Sequence, residues 1–214
     1  MRVFEIFSSI NGEICNAHQG SLCTFIRFSW CNLRCTYCDT KYAQNLDSGR
    51  ELTIPQIIKA VRKQGNKNIT ITGGEPLLQI ENLKALLYEL EESYNISIET
   101  NGSYDIRQLL PFSVSIVMDY KLPSSEMEKF MYKPNLDVLT RSEDILKFVV
   151  ADEKDFNRAI EILKKYGILA TVAFSPVKGM MDSRKLAIMM SESSFLKKRG
   201  AVLSLQLHKL LDLK

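Results

Sequence analysis

An alternation constrains this chain more than any other feature: short apolar runs of β-forming residues, with helical periods set between several of them. The runs fall at residues 2–7, 22–29, 68–72, 96–100, 114–120, 145–150, 169–174 and 202–207. A strand, a helix and a second strand join as parallel neighbours through a right-handed crossover. The clearest helix begins at Thr53-Ile54-Pro55-Gln56, where Thr53 and Gln56 can satisfy each other's backbone donors and a proline fits the first turn. Ile54, Ile57, Ile58 and Val61 then share one face, and Gly65 can end the helix. Leu83, Leu86, Leu87 and Leu90 mark a second helix. Asp152 caps a third, which carries Phe156, Ala159, Ile160 and Leu163 and ends near Gly167; a shorter one covers 183–190. Six strands joined this way are too few for a closed eight-fold barrel. The expected fold is α/β: an incomplete, partial TIM-type parallel β/α barrel or an open doubly wound sheet, in one domain over 1–214. Residues 11–21 and 123–140 show no period and read as loops or a small insertion. Ligands of such folds sit where strands end and loops begin.

Composition narrows the partners. With 28 Lys and Arg against 25 Asp and Glu, the net charge of +3 is too small to make nucleic acid or an anionic membrane the main partner. No apolar run approaches the ~20 residues of a membrane span, and the first residues lack the order of a signal peptide, so the expected location is the cytoplasm. Five cysteines cannot all pair with one another, and three crowd into Cys31-Asn32-Leu33-Arg34-Cys35-Thr36-Tyr37-Cys38, directly after a strand. In a reducing compartment such a cluster holds metal in preference to disulfides. The spacing suits an iron–sulfur cluster with three protein ligands and one iron left open. A zinc site is the alternative, with Cys15, Cys23, His18 or His208 as the fourth ligand.

The cysteine loop resembles the signature of the radical S-adenosylmethionine enzymes. A second signature, Thr72-Gly73-Gly74-Glu75-Pro76, stands at the end of the next parallel strand. The resemblance implies a partial barrel of the radical SAM type in which Cys31, Cys35 and Cys38 bind a [4Fe–4S] cluster. The methionyl amino and carboxylate groups of S-adenosylmethionine chelate its fourth iron. It also implies that Gly73, Gly74 and Glu75 hold the methionine amino group, the glycines by letting the backbone come close and the glutamate as a carboxylate facing an ammonium.

Further segments are similar to the 7-carboxy-7-deazaguanine synthases. They include Phe7-Ser8-Ser9-Ile10-Asn11-Gly12-Glu13, Phe25-Ile26-Arg27-Phe28, Cys38-Asp39-Thr40, Ile98-Glu99-Thr100-Asn101-Gly102, Met118-Asp119-Tyr120-Lys121, Lys147-Phe148-Val149, Ser175-Pro176-Val177 and Leu205-Gln206-Leu207-His208-Lys209. That resemblance implies a radical SAM lyase. Its substrate would be 6-carboxy-5,6,7,8-tetrahydropterin, contracted to 7-carboxy-7-deazaguanine with loss of ammonia, on the route to queuosine and related deazaguanines. It implies a pterin pocket from the Ile10-Asn11-Gly12 backbone, Glu13, Arg27, Thr72 and His208, with Gln206 beside them. Glu13 would accept from the amino and ring N–H groups, and Arg27 would take the carboxylate bidentately. Arg27 lies inside an apolar run, where a charge facing inward needs a partner. Thr40 would ligate Mg2+, with Asp39 behind it. Tyr37, Cys38, Asp39, Gly74, Asp119, Tyr120 and Lys121 would line S-adenosylmethionine. The family further implies a homodimer and an electron donor such as flavodoxin or ferredoxin.

Two departures mark this chain. Ile14 follows Gly12-Glu13 where most members carry glycine, and Trp30 precedes the first cluster cysteine where glycine is common. Two rival functions differ in testable ways. A glycyl-radical activase would share the cysteine spacing but act on a protein and have no use for Glu13, Arg27 and His208. A non-catalytic zinc-binding interaction module would contain no iron or sulfide.

Overall fold

The structure, a computed structural model, describes residues 1–213. One nine-stranded sheet runs through it in the order β3-β1-β2-β4-β5-β6-β7-β8-β9. Its strands are β1 (Arg2–Ile10), β2 (Leu22–Phe28), β3 (Arg50–Glu51), β4 (Asn68–Gly73), β5 (Asn95–Thr100), β6 (Val114–Tyr120), β7 (Ile145–Val150), β8 (Thr171–Pro176) and β9 (Val202–Leu203). From β2 to β9 every pairing is parallel; β1 is antiparallel to both β2 and β3. The longer helices are α1 (Ile54–Gln64), α2 (Ile80–Leu90), α4 (Glu153–Lys165) and α5 (Ser183–Glu192). Shorter ones are α3 (Asn135–Val138), α6 (Ser194–Arg199) and α7 (Leu207–Leu210). This is the partial β/α barrel that the alternation predicts.

The helix starts are the ones the sequence implies. The Gln56 side chain accepts from the Thr53 N–H (2.8 Å), and Gly65 ends α1 with φ +77°. The Asp152 side chain accepts from the Asp155 N–H (2.9 Å). Ile57, Val61, Leu83, Leu86, Leu87 and Leu90 are fully buried, as are Ile26, Ile71, Ile98, Leu146 and Phe148 of the sheet. The main core therefore lies between the outer helices and the outward side chains of the parallel strands. β7 is buried along its whole length, as expected of a central parallel strand covered on both faces.

The opposite, inward side chains build the interior. Arg27 of β2 stands beside Thr72 of β4, and Asp119 of β6 beside Lys147 of β7. Below this polar tier Val117, Ile145 and Ala173 form an apolar floor, on which Ile14 and Cys15 pack. The segment 11–21, without period in the sequence, is thus a plug inserted into the barrel. Its backbone is tied to itself by Asn11 N–H to Ser21 carbonyl and Gly20 N–H to Asn11 carbonyl (both 2.8 Å).

Two expectations about the C-terminal part need correction. The strand expected over 202–207 stops after Leu203, and Leu207–Leu210 form a helical turn. The reason is the plug. The Gln19 amide donates to the Leu205 carbonyl, and the Leu207 N–H donates to the Gly12 carbonyl (2.8 Å), so this backbone pairs with the plug instead of extending β9. The strand expected over 169–174 is shifted to Thr171–Pro176, because Ala170 N–H pairs with Leu139 outside the sheet. Residues 123–140 fold into short helical turns, α3 among them.

Candidate active site

A cavity of about 380 Å3 opens at the C-terminal ends of the parallel strands. The side chains of Cys31, Cys35 and Cys38 stand along its wall, and all five cysteines of the chain are free. The loop that carries them leaves the end of β2 and is held from three sides. Trp30 N–H donates to the Ala43 carbonyl (2.9 Å), Cys31 N–H to the Gln44 carbonyl (3.0 Å) and Thr36 Oγ1 to the Ser124 carbonyl (2.7 Å). Burial pushes the Cys31 thiol up and the Cys35 thiol up to about 11. Of the expected fourth ligands for zinc, Cys23 and His18 stand away from the loop, and Cys15 and His208 line the other half of the cavity. Cys23 is buried at the start of β2, the far end of that strand from the loop, and shares a hydrogen bond with Thr70 (3.2 Å). Cys15 belongs to the plug and His18 is exposed. The donor set therefore fits a cluster held by three thiolates.

The two glycines of the second motif meet a packing need as well as bordering the cavity. A Cβ on Gly73 would fall 2.2 Å from the Phe28 carbonyl oxygen, and one on Gly74 would fall 2.0 Å from that of Trp30. They permit two backbone segments to touch, as Gly74 N–H donates to Phe28 (2.9 Å) and Glu75 N–H to Trp30 (2.8 Å). The Gly-Gly-Glu-Pro turn is thereby stitched to the start of the cysteine loop. Trp30 takes φ +83° at this junction, the left-handed region that glycine enters freely, so the backbone path survives without the glycine.

Two of the expected cofactor contacts, Glu75 and Tyr120, are not among the residues that line the cavity. Glu75 is fully buried and faces away from the cavity; its carboxylate accepts from Leu77 N–H (3.0 Å), Thr100 Oγ1 (2.8 Å) and Asn101 N–H (2.6 Å). These three bonds tie the motif to the end of β5. The Tyr120 ring turns outward and packs on Phe148, as alternation along β6 requires. Its neighbours Asp119 and Lys121 do line the cavity and pair at 2.8 Å. Asp119 Oδ1 is buried without a hydrogen-bond partner, an acceptor suited to a polar ligand group. Tyr37 lines the same region with its hydroxyl on the Val149 carbonyl (3.4 Å), and Gly73 and Gly74 border it.

The other half of the cavity collects Ile10, Asn11, Gly12, Glu13, Arg27, Thr72, Gln206 and His208. Asn11 is reached differently from expected: its backbone is engaged within the plug, whereas its side-chain Nδ2 is buried with no partner. Glu13 receives Lys147 on one oxygen and the Gln206 amide on the other. Burial alone would raise the Glu13 carboxyl, but the Lys147 charge and these hydrogen bonds hold it below its ordinary value. Thr72 Oγ1 donates to Glu99 (2.7 Å), whose carboxyl is raised by burial and by the Glu13 charge. Arg27 donates from Nε to Glu5 (3.0 Å), and its guanidinium lies 5.9 Å from the ring centres of Phe7 and Tyr42.

At the mouth, Thr40 Oγ1 donates to Asp39 (2.9 Å), which also pairs with Lys209. Burial opposes it, but Lys209 and Thr40 hold the Asp39 carboxyl down at about 2. His208 lies against Gly12, and burial lowers its imidazole below the ordinary value.

Sequence reasoning missed Lys147 and the side chain of Glu99. The signal that marked Arg27, a charge within an apolar run, stands equally in Ile145-Leu146-Lys147-Phe148. Glu5, the partner of Arg27, carries the same mark in Val3-Phe4-Glu5-Ile6-Phe7.

Comparison with known proteins agrees with this geometry. The model of the Radical SAM superfamily matches residues 25–179. The 7-carboxy-7-deazaguanine synthase of Clostridium acetobutylicum is 39% identical, over 98% of this chain and 95% of its own length. That of Methanospirillum hungatei is 33% identical, over 100% of this chain and 86% of its own. Among solved structures, QueE from Escherichia coli superposes with a TM-score of 0.72 at 21% identity, covering 96% of this chain and 93% of its own. Streptococcus suis SuiB bound to S-adenosylmethionine superposes at 0.59 and 14% identity, covering 85% of this chain and 51% of its own. These structural likenesses establish the shared fold.

Proposed function

The chain belongs to the 7-carboxy-7-deazaguanine synthases of the radical SAM superfamily, and from that premise we propose how the residues of its cavity divide the work. Its reaction converts 6-carboxy-5,6,7,8-tetrahydropterin to 7-carboxy-7-deazaguanine with loss of ammonia, in queuosine biosynthesis. A [4Fe–4S] cluster and S-adenosylmethionine are its cofactors and, when bound, supply the hydrogen-abstracting radical.

In the proposed division Cys31, Cys35 and Cys38 hold the cluster, and Cys38 shares with Tyr37, Asp39, Gly73, Gly74, Asp119 and Lys121 the contact with S-adenosylmethionine. The unpaired Asp119 Oδ1 supports that half of the reading. Asn11, Glu13, Arg27, Thr72 and His208 form the pterin side. Glu13 accepts from the aminopyrimidinone N–H groups, and Asn11 Nδ2 offers a donor to its carbonyl. Arg27, anchored through Nε on Glu5, receives the carboxylate with its remaining N–H edge. Thr40, backed by Asp39, contributes to a Mg2+ site beside that carboxylate. The protein's tasks are orientation, exclusion of water and placement of charge. Further parts of the reading are a homodimer, reduction by a flavodoxin or ferredoxin, and a cytoplasmic location.

One observation carries this division: the two motif loops and the Glu13–Arg27 side chains face a single cavity. The test is anaerobic turnover of reconstituted protein with S-adenosylmethionine, reductant, Mg2+ and the carboxypterin, read by mass spectrometry. We expect 7-carboxy-7-deazaguanine. If 5′-deoxyadenosine alone forms, the pterin side is misassigned. An Arg27→Ala variant should bind carboxypterin more weakly while keeping its cluster, and unchanged affinity would show that the carboxylate lies elsewhere.

A further inference from the structure

Of the β7 side chains that face the interior, Ile145 and Val149 are apolar and Lys147 is the exception. Lys147 is 5% exposed, contacts Glu13 directly and stands 3.9 Å from Asp119. Glu13 has no strand or helix of its own to fix it, since it sits in the plug between β1 and β2. Its carboxylate is instead gripped from two directions, by Lys147 on Oε2 and by Gln206 on Oε1. Each oxygen keeps a second lone-pair direction for a ligand. A strand buried along its whole length is a rigid place from which to hold such a group.

We propose that Lys147 is the positioning residue for the pterin site, fixing the Glu13 carboxylate in the orientation that receives the aminopyrimidinone edge of the substrate. This rests on the reading of Glu13 given above. Lys147 also sets what Glu13 can do. The ionisable groups around that carboxylate are Lys147 from β7, Glu99 from β5, Asp119 from β6, Arg27 from β2, His208 from α7 and Cys15 from the plug itself. Without Lys147 it would be a desolvated carboxylate beside the acidic Glu99, which favours its protonated form. A protonated Glu13 presents an O–H toward substrate N–H groups and cannot accept from them there.

The experiment uses the full chain with its cluster reconstituted and compares Lys147→Met, Lys147→Arg, Glu13→Gln and the Glu13→Gln/Lys147→Met double variant. Four quantities are read: KM for carboxypterin, kcat, S-adenosylmethionine affinity and the pH dependence of KM. Lys147→Met should raise KM on the order of 30-fold or more, with S-adenosylmethionine affinity within about twofold of the unaltered enzyme. Its KM should fall as pH rises, because ionisation restores the acceptor. Lys147→Arg should recover part of the loss, and the double variant should be no worse than the poorer single one.

A KM for Lys147→Met within about twofold of the unaltered enzyme, alongside a raised KM for Glu13→Gln, would overturn the role of Lys147 and leave Glu13 in place. Equal losses of pterin and S-adenosylmethionine affinity would overturn it as well, by showing a general structural effect. An unchanged KM for Glu13→Gln would remove the reading of Glu13, and the proposal with it. Should Lys147→Met fail to hold its cluster, Lys147→Arg and Lys147→Gln decide: a KM raised in Lys147→Gln and partly restored in Lys147→Arg supports the role, and equal KM values in the two refute it.

Discussion

Glu75 stands at the centre of the Gly-Gly-Glu-Pro segment and works through its second neighbours. Through Asn101, whose side-chain amide lies 3.8 Å from Cys31 Sγ, it connects the end of β5 to the cysteine loop. Replacing it with glutamine puts an NH2 against one of its three donors, which should cost about 1–3 kcal/mol and lower the melting temperature. Gly12 is constrained differently: a Cβ there would fall 2.0 Å from His208 Nδ1. Gly12→Ala should displace the α7 turn and reduce kcat/KM on the order of 10²-fold with little change in melting temperature. Burial has its own consequence for the thiols. Cys31 and Cys35 are held protonated at neutral pH, so cluster assembly must release protons. Incorporation of iron should therefore improve as pH rises, which can be followed by iron and sulfide analysis across a pH series. At this scale the sequence was read unevenly. The cysteines, Arg27 and His208 announce themselves by residue type and place, whereas the outward turn of Glu75 depends on backbone donors brought by β5, far along the chain.

Caps and periods at the level of elements were legible because they are local. The Thr53–Gln56 box, the Asp152 cap and the leucine face of α2 are each contained within a few residues. The plug and the early end of β9 were not, since each exists only by pairing with the other. Between these extremes lies Asp155, in the first turn of α4. It accepts from Ala151 N–H and Ser124 N–H (both 3.0 Å), and Ser124 in turn accepts from Thr36 in the cysteine loop. The first turn of α4 thus braces the cluster loop from outside the cavity. Asp155→Ala should cost about 1–3 kcal/mol and also lower iron content per chain; normal iron content in a destabilised variant would separate the two effects.

Across the whole molecule, the outer face of the sheet is apolar and the inner face carries charge, so core and cavity share the same strands on alternate residues. His208 lines the cavity half-buried, and its titration has a readable sign. Its imidazole is lowered by folding, so the unfolded chain binds the proton more readily and stability declines as pH falls through about 6.5. His208→Gln should flatten that portion of a stability–pH curve measured by denaturant unfolding.

Glu13 and Gln206 touch across 193 positions of sequence. A chain growing from the ribosome displays all three cysteines well before the segment that grips Glu13 is made. The order of assembly is therefore built into the topology: the cysteine loop is braced only once Ser124 and Asp155 are made, and Gln206 closes on Glu13 later still.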